Sequence, residues 1–290
     1  MGYIISNLEL LKGKEIKTVD LVVNDNKISY LKEKIYYKKK LVGDYTNFLM
    51  IPTFSTVIED IKMGQTFEEK SVFYKQLIYQ GFTSFVYPIT YDLQLDKKIT
   101  EAKLELLNCP IDYFFALKIN LDKLTDQIIR LCKSYKFCGI FVTINSETSI
   151  EKTAWGWIKQ AYFNYQAPII PIFQTNCPKE KIKWVKKWKQ MIKKEEIITL
   201  DELQFNKVLQ IEQLCSFGIY PFYANIHQGI PLSYHLIFRE NYYGDGIQPD
   251  EIVYTFYKGK SIRIFDKIEY YPGMGENISL KVQAFLKQMN

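Results

Sequence analysis

Two adjacent carboxylates, Glu59 and Asp60, close the apolar run Phe48-Leu-Met-Ile-Pro-Thr-Phe-Ser-Thr-Val-Ile. Acids at the end of a strand can hold a cation or act as a general base. Neighbours on a strand point to opposite faces, so only one of the pair can face a site. The commoner use of such acids is as a loop or helix-start charge. Thr143, Asn145, Gln174 and Asn176 stand at the ends of two further apolar runs. Neutral hydrogen-bonding groups of this kind suit a small-molecule pocket. They are also the residue types that cap helices. His227 follows Tyr220-Pro-Phe-Tyr-Ala-Asn-Ile and is a formal acid or base. It has no orienting partner nearby in sequence, which favours a structural role. His235 is the weaker of the two histidines on the same grounds.

Other chemistries find no signature. There is no GxSxG, P-loop, GxGxxG or HExxH pattern. Cys177 precedes Pro178 with no histidine near it, so a thiol nucleophile has only formal standing. The five cysteines are odd in number, irregularly spaced and form no CxxC, which argues for free thiols of a reducing compartment. No cofactor and no bound metal are expected.

The elements that would position these residues come in two rhythms. At the start, Ile16–Val23 and Ile28–Leu31 flank Asn24-Asp25-Asn26-Lys27, a hairpin turn by residue type. A further strand is expected over 34–42. From Phe48 strand-length apolar runs alternate with charged segments of helical period. The runs are Phe48–Phe54, Phe82–Ile89, Ile111–Ile119, Cys138–Ile144, Pro168–Phe173 and a weaker Ile219–Ile226. Helices are expected over Phe67–Tyr79, Thr100–Leu107, Leu121–Leu131, Thr148–Tyr165 and Pro178–Lys194. This alternation predicts a parallel α/β sheet or barrel. A second hairpin, centred on Lys258-Gly259-Lys260, restores the first rhythm, and Ser279–Met289 reads as a short amphipathic helix. The domains expected are residues 1–47 plus 247–272 as a small composite β domain, 48–246 as a β/α barrel-like domain, and 273–290 as a helical tail.

The chain has 290 residues, 47% of them hydrophobic and 16% aromatic, enough to bury a core and to argue against disorder. The formal charge of +6 is ordinary for a soluble surface; nucleic acid or anionic lipid is the sharper reading. The strongest basic run is Lys181–Lys194, where Trp184, Trp188 and Met191 keep helical spacing, as do Ile182, Val185 and Ile192. It is the pattern of an outer helix burying its apolar stripe; a membrane- or nucleic-acid-binding helix is the alternative. No apolar run is long enough to span a bilayer, and Met1–Glu9 lacks a basic n-region and a long apolar h-region. A cytoplasmic location is expected.

Four stretches in order resemble the amidohydrolase superfamily, in its dihydroorotase and hydantoinase branch. Asp20–Leu31 is similar to its opening hairpin, and Leu49-Met-Ile-Pro-Thr-Phe to the "VLPGF" leading into its first barrel strand. Gln80–Pro88 is similar to its "GGVTTVVDMP" strand, and Gly246–Tyr254 to its closing "DADLV" strand. The resemblance implies a shortened or distorted TIM-like β/α barrel with a small composite β-sandwich domain from both chain ends. It also marks what is missing. Counting from Pro52, the His-x-His pair that binds the first metal falls on Ile58 and Asp60. The stretch that would hold the metal-bridging lysine, Gly139–Asn145, has none, and the strand-five histidine would fall near Ile172–Gln174. A hydrolytic zinc site needs about three protein ligands and an open position. The resemblance therefore implies a catalytically degenerate protein acting by binding or as a scaffold, toward a small-molecule ligand, a protein partner or a second copy. The alternative is a metal-independent hydrolase of a cyclic amide or related C–N bond, using Glu59, Asp60 or His227.

Overall fold

The structure is a computed structural model that describes residues 2–13, 15–35, 41–59, 66–146, 150–163, 165–244 and 246–280. The chain opens with β1 (Gly2–Lys12), β2 (Glu15–Asn24), β3 (Lys27–Lys32), β4 (Leu41–Asp44) and β5 (Phe48–Ile51). Then come β6 (Phe54–Val57), α1 (Phe67–Tyr79), β7 (Phe82–Thr90), α2 (Leu95–Glu105), β8 (Asp112–Asn120) and α3 (Asp126–Tyr135). The series continues with β9 (Ile140–Ile144), α4 (Trp155–Tyr162), β10 (Ile169–Phe173), α5 (Pro178–Glu195) and α6 (Ile211–Phe217). It closes with β11 (Tyr234–Phe238), β12 (Ile252–Tyr257), β13 (Lys260–Ile264) and β14 (Lys267–Ile268). The fold is mixed α/β, and the chain divides into two compact units: Met1–Phe54, Gly64–Thr83 and Pro221–Pro272 form one, Ser55–Met63, Ser84–Tyr220 and Gly273–Asn290 the other.

The first unit is built on a nine-stranded sheet of order β14-β13-β12-β11-β5-β1-β2-β3, with β4 beside β1. Strands from the first 51 residues and from 234–268 thus share one sheet. The β2–β3 hairpin turns on Asp25 and Asn26, both at positive φ (48° and 58°), as a two-residue primed turn requires. The β1–β2 register slips between Ile5 and Leu8, where Asn7 takes φ 53° and its amide bonds the Asp20 carboxylate at 3.0 Å. One carboxylate oxygen therefore satisfies the donor that the bulge frees. The core of this unit gathers Ile5, Leu8, Leu21, Val23, Met50 and Leu236, among others.

The apolar run from Phe48 to Phe54 is not one strand. It breaks at Pro52-Thr53: β5 joins the large sheet and β6 the smaller one. The weak strand expected over Ile219–Ile226 is absent; that stretch is turns. Gly218 ends α6 at φ 73° and Ala224 sits at φ 52°, a left-handed conformation that no extended strand accommodates. Its apolar character serves the sheet core instead, where Ile226 is buried. The elements that escaped the sequence reading include α6, β11 and the two-residue β14. The helix expected at Ser279–Met289 lies outside the described residues from position 281, as do 36–40 of the strand expected at 34–42.

The second unit holds a five-stranded parallel sheet of order β10-β9-β8-β7-β6. Each strand lies beside its predecessor in sequence, the order in which right-handed connections put their helices on one face. The inner face opposite is read from the register. Thr90, Lys118, Phe141 and Ile170 form one row across four strands, and Asn120, Thr143 and Ile172 form the next row toward the C-terminal ends. The first half of β8 has no β9 beside it. There residues 275–278 take its place: the Tyr113 amide donates to the Glu276 carbonyl at 3.0 Å, and the Ile278 amide to the Tyr113 carbonyl at 2.9 Å.

Candidate functional site

The C-terminal ends of a parallel sheet leave backbone groups unpaired and face one side, which is where α/β folds place ligands. Here those ends carry Glu59, Thr90, Asn120, Asn145 and Gln174. Glu59 is exposed just beyond β6. Asp60 lies outside the described residues. Ile58, preceding the pair, is fully buried, and its amide donates to the Val86 carbonyl at 3.1 Å.

Thr143 is half-buried on the inner face, its hydroxyl 3.4 Å from the Ile119 carbonyl. Asn145 and Gln174 follow adjacent strands, joined where the Gln174 amide donates to the Ile144 carbonyl at 2.8 Å. These polar residues stand together at one end of the sheet. Asn176 is exposed in the turn before α5. Capping there is done differently from expectation. The N-cap residue is Cys177, with no side-chain bond of its own, and the Thr175 hydroxyl takes the Cys177 amide at 3.1 Å while donating to Glu180 at 2.8 Å.

His227 belongs to the other unit. Its Nδ1 lies 2.8 Å from the Gln228 carbonyl and its Nε2 3.1 Å from the Pro221 carbonyl. Both partners only accept, and a neutral ring can donate to just one of them at a time. The ring thus holds its own loop.

Beyond α5 the chain does something the sequence did not signal. It runs from one edge of the parallel sheet to the other. At the β10 edge the Ile169 amide donates to the Ile198 carbonyl at 2.9 Å. At the C-terminal end of β10 the Glu202 carboxylate accepts from the Phe173 amide at 3.0 Å. At the β6 edge the Asn206 amide donates to the Val57 carbonyl at 2.8 Å and the Leu209 amide to the Ser55 carbonyl at 2.9 Å. The Thr56 hydroxyl closes the set on the Lys207 carbonyl at 2.7 Å. Between these anchors Phe205 stacks on Phe141 of the inner face, ring centroids 6.4 Å apart. Phe217 of α6 stacks on the same ring at 6.3 Å, over Gly139, where a Cβ would come within 2.8 Å of it.

The inner face is therefore covered by the chain's own aromatic residues. Deeper in, the hydroxyls of Ser55 and Ser84 meet at 2.6 Å, buried. Sequence inspection missed this pair and Lys118; register alone puts the lysine in the inner row. Among the described residues no group of three or more His, Cys, Asp or Glu side chains could hold a metal ion. None of the five cysteines is in a disulfide, and Cys109, Cys132 and Cys138 are buried. Burial pushes the thiols of Cys132 and Cys138 well above the ordinary range.

No family model matches the sequence. A search of the curated proteins finds no match either. Solved structures do resemble the fold. A D-hydantoinase from Bacillus sp. AR9 superposes with a TM-score of 0.71 at 9% identity, over 96% of this chain and 98% of that one. Another D-hydantoinase gives 0.66 at 10% identity, over 97% and 99%. The dihydropyrimidinase of Brevibacillus agri NCHU1002 gives 0.60 at 11% identity, over 97% and 99%. At such identities the likeness speaks to the fold alone: this chain is folded like a hydantoinase.

Proposed function

We propose that this chain is a shortened amidohydrolase-type barrel that has given up metal-dependent hydrolysis and works by binding, toward a small ligand or a protein partner. The single observation that carries the reading is the segment 198–209 tied across the strand ends. A hydrolytic site needs a metal, a water on it and room for the substrate's carbonyl. Here Phe205 and Phe217 occupy the inner face, and Glu202, the acid nearest the end of β10, is committed to a backbone amide. The first ligand pair that the family resemblance marks falls on Ile58 and Asp60, and neither Gly139–Asn145 nor Ile172–Gln174 supplies the lysine or histidine it implies there. Among the described residues the strand ends keep the exposed Glu59, the neutral groups Thr90, Asn120, Thr143, Asn145 and Gln174, and the Lys118 ammonium, a lining suited to holding a small polar molecule.

The test is elemental analysis of protein purified without chelators, together with hydrolysis assays on hydantoin, dihydrouracil and dihydroorotate. The expected result is less than a tenth of a metal ion per chain and no turnover, with or without added zinc or manganese. Stoichiometric zinc or manganese, or metal-stimulated turnover, overturns the reading. Turnover that survives chelators and disappears in Asp60→Asn favours a metal-independent hydrolase instead.

A further inference from the structure

Helix α5 carries eight lysines, at 179, 181, 183, 186, 187, 189, 193 and 194, against two glutamates. The whole chain has 38 Lys and Arg against 32 Asp and Glu. Elsewhere the chain thus holds thirty of each, and its entire net charge of +6 resides in one helix of 18 residues. The sheet-facing side of α5 is set by Trp188 and Ile192, both buried; Trp188 donates to the Thr199 hydroxyl at 3.1 Å and meets Trp155 edge-on. At 100° per residue the opposite side then presents Lys179, Lys183, Lys186, Lys193 and Lys194. None of these five has an ion-pair partner among the described residues. The other three lysines are paired, Lys181 with Glu202, Lys187 with Glu151 and Lys189 with Asp201.

An isoleucine breaks this cationic surface. Ile182 is 70% exposed, outside the buried stripe in which its spacing had placed it. With Pro178, Val185 and the stems of Lys181, Lys186 and Lys189 it lines a shallow apolar groove along the helix.

We propose that α5 is a docking face for an anionic lipid bilayer, lying flat with its lysines on the headgroups and Ile182 dipping between them. Charge complementarity supplies the attraction: lysines near an anionic surface act as additive point charges, each worth roughly a fivefold gain in binding. The exposed apolar groove supplies shallow insertion. Nucleic acid fits less well. The helix has no arginine and no serine, threonine or asparagine to fix a phosphate or read a base edge, and both its tryptophans lean toward the protein.

The experiment is co-sedimentation of the full chain with vesicles of phosphatidylcholine alone and of phosphatidylcholine with 30% phosphatidylserine. The expected result is binding to the anionic vesicles only, weakened at least tenfold between 50 and 500 mM NaCl. A quadruple Lys179→Gln, Lys183→Gln, Lys186→Gln, Lys193→Gln variant should lose binding by a hundredfold or more with its circular dichroism unchanged. Ile182→Ser should lose about threefold to tenfold. No binding to anionic vesicles, or binding untouched by the quadruple variant, overturns the proposal. Tighter binding to a duplex or single-stranded oligonucleotide than to vesicles reassigns the face to nucleic acid. Unchanged binding by Ile182→Ser overturns the choice of a bilayer over a purely ionic partner.

Discussion

The Nε2 atom of His235 lies 2.9 Å from the carbonyl oxygen of Gly81, in the core of the first unit, while Nδ1 lies 2.9 Å from the Thr255 hydroxyl. A carbonyl only accepts, so Nε2 carries the proton and Nδ1 takes the hydroxyl's. The ring is fully buried. Burial, with a smaller contribution from the Arg263 charge, outweighs the Gly81 bond and pushes the His235 pKa down to about 3. The unfolded chain binds a proton at about pH 6.5 that the folded chain refuses. His235 therefore contributes its full stability above about pH 6.5 and loses it as the pH falls toward 3. Urea unfolding should show a drop of about 2–3 kcal/mol between pH 6.5 and 4.5. His235→Gln, less stable at neutral pH, should show a flatter profile over the same window.

The same corner turns α1 back into the sheet, and its tolerance is narrow. Gly81 sits at φ +84°, and a Cβ there would come within 2.7 Å of Ile252 and 2.9 Å of Phe54. Gly81→Ala should destabilise by roughly 2–4 kcal/mol, from the left-handed backbone and the overpacking together. Arg263, 1% exposed, donates to the carbonyl of Tyr79, the last residue of α1, and to that of Phe265, with its guanidinium 4.4 Å from the Tyr79 ring centroid. Lysine cannot reproduce both bonds and the stacking, so Arg263→Lys should cost about 2 kcal/mol by thermal or urea unfolding.

Local chemistry explains what could be read from the residues. The Asp25-Asn26 turn, helix α1 with its Thr66–Glu69 capping box, and the Lys258-Gly259 hairpin are each encoded within one short stretch of sequence. Strand β11 is equally local in composition, yet it was overlooked because Ser-Tyr-His-Leu-Ile-Phe mixes polar and apolar residues where both faces are buried. His235 fits only because Thr255 and Gly81, 20 and 154 positions away, satisfy its nitrogens. The polar residues at the strand ends were visible as strand-end residues; the segment that crosses above them was not. Its anchors are a carboxylate on an amide 29 residues away and a hydroxyl on a carbonyl 151 residues away. No periodicity announces such bonds.

Gly275 permits another long-range contact. A Cβ on it would lie 2.0 Å from the Ile111 carbonyl oxygen and 2.3 Å from its carbon, both backbone atoms that cannot yield. The residue's φ is not left-handed, so the requirement is for space. Its neighbours complete the edge of β8, with the Glu276 amide on the buried Asp112 carboxylate at 2.8 Å. Gly275→Ala should detach this segment at a cost of about 2–4 kcal/mol, counting roughly 1 kcal/mol for each of its backbone bonds. Hydrogen exchange at the Tyr113 amide, which donates to Glu276, should accelerate by two orders of magnitude while the hairpin of β1 and β2 is unaffected.

Glu202 is the residue on which the covering of the inner face most depends. It binds the Phe173 amide at 3.0 Å and pairs with Lys181 at 2.5 Å, contacts that hold the crossing segment to the end of β10 and to α5. The bond to a buried strand-end amide is charge-assisted; the half-exposed ion pair adds little beyond it. Glu202→Ala should cost about 1–3 kcal/mol, since it leaves the amide without an acceptor. More tellingly, it should expose 200–209 to limited proteolysis under conditions where the parent resists, because the segment is then held only at its ends, by Ile198 on Ile169 and by the anchors at Ser55, Thr56 and Val57. If the covering is what keeps the inner face closed, the variant should also bind an apolar dye that the parent excludes, and Phe205→Ala should do so with less loss of protease resistance. A Glu202→Ala protein that stays resistant and dye-free would mean that Phe205 and Phe217, stacked on Phe141, close that face without help from the carboxylate.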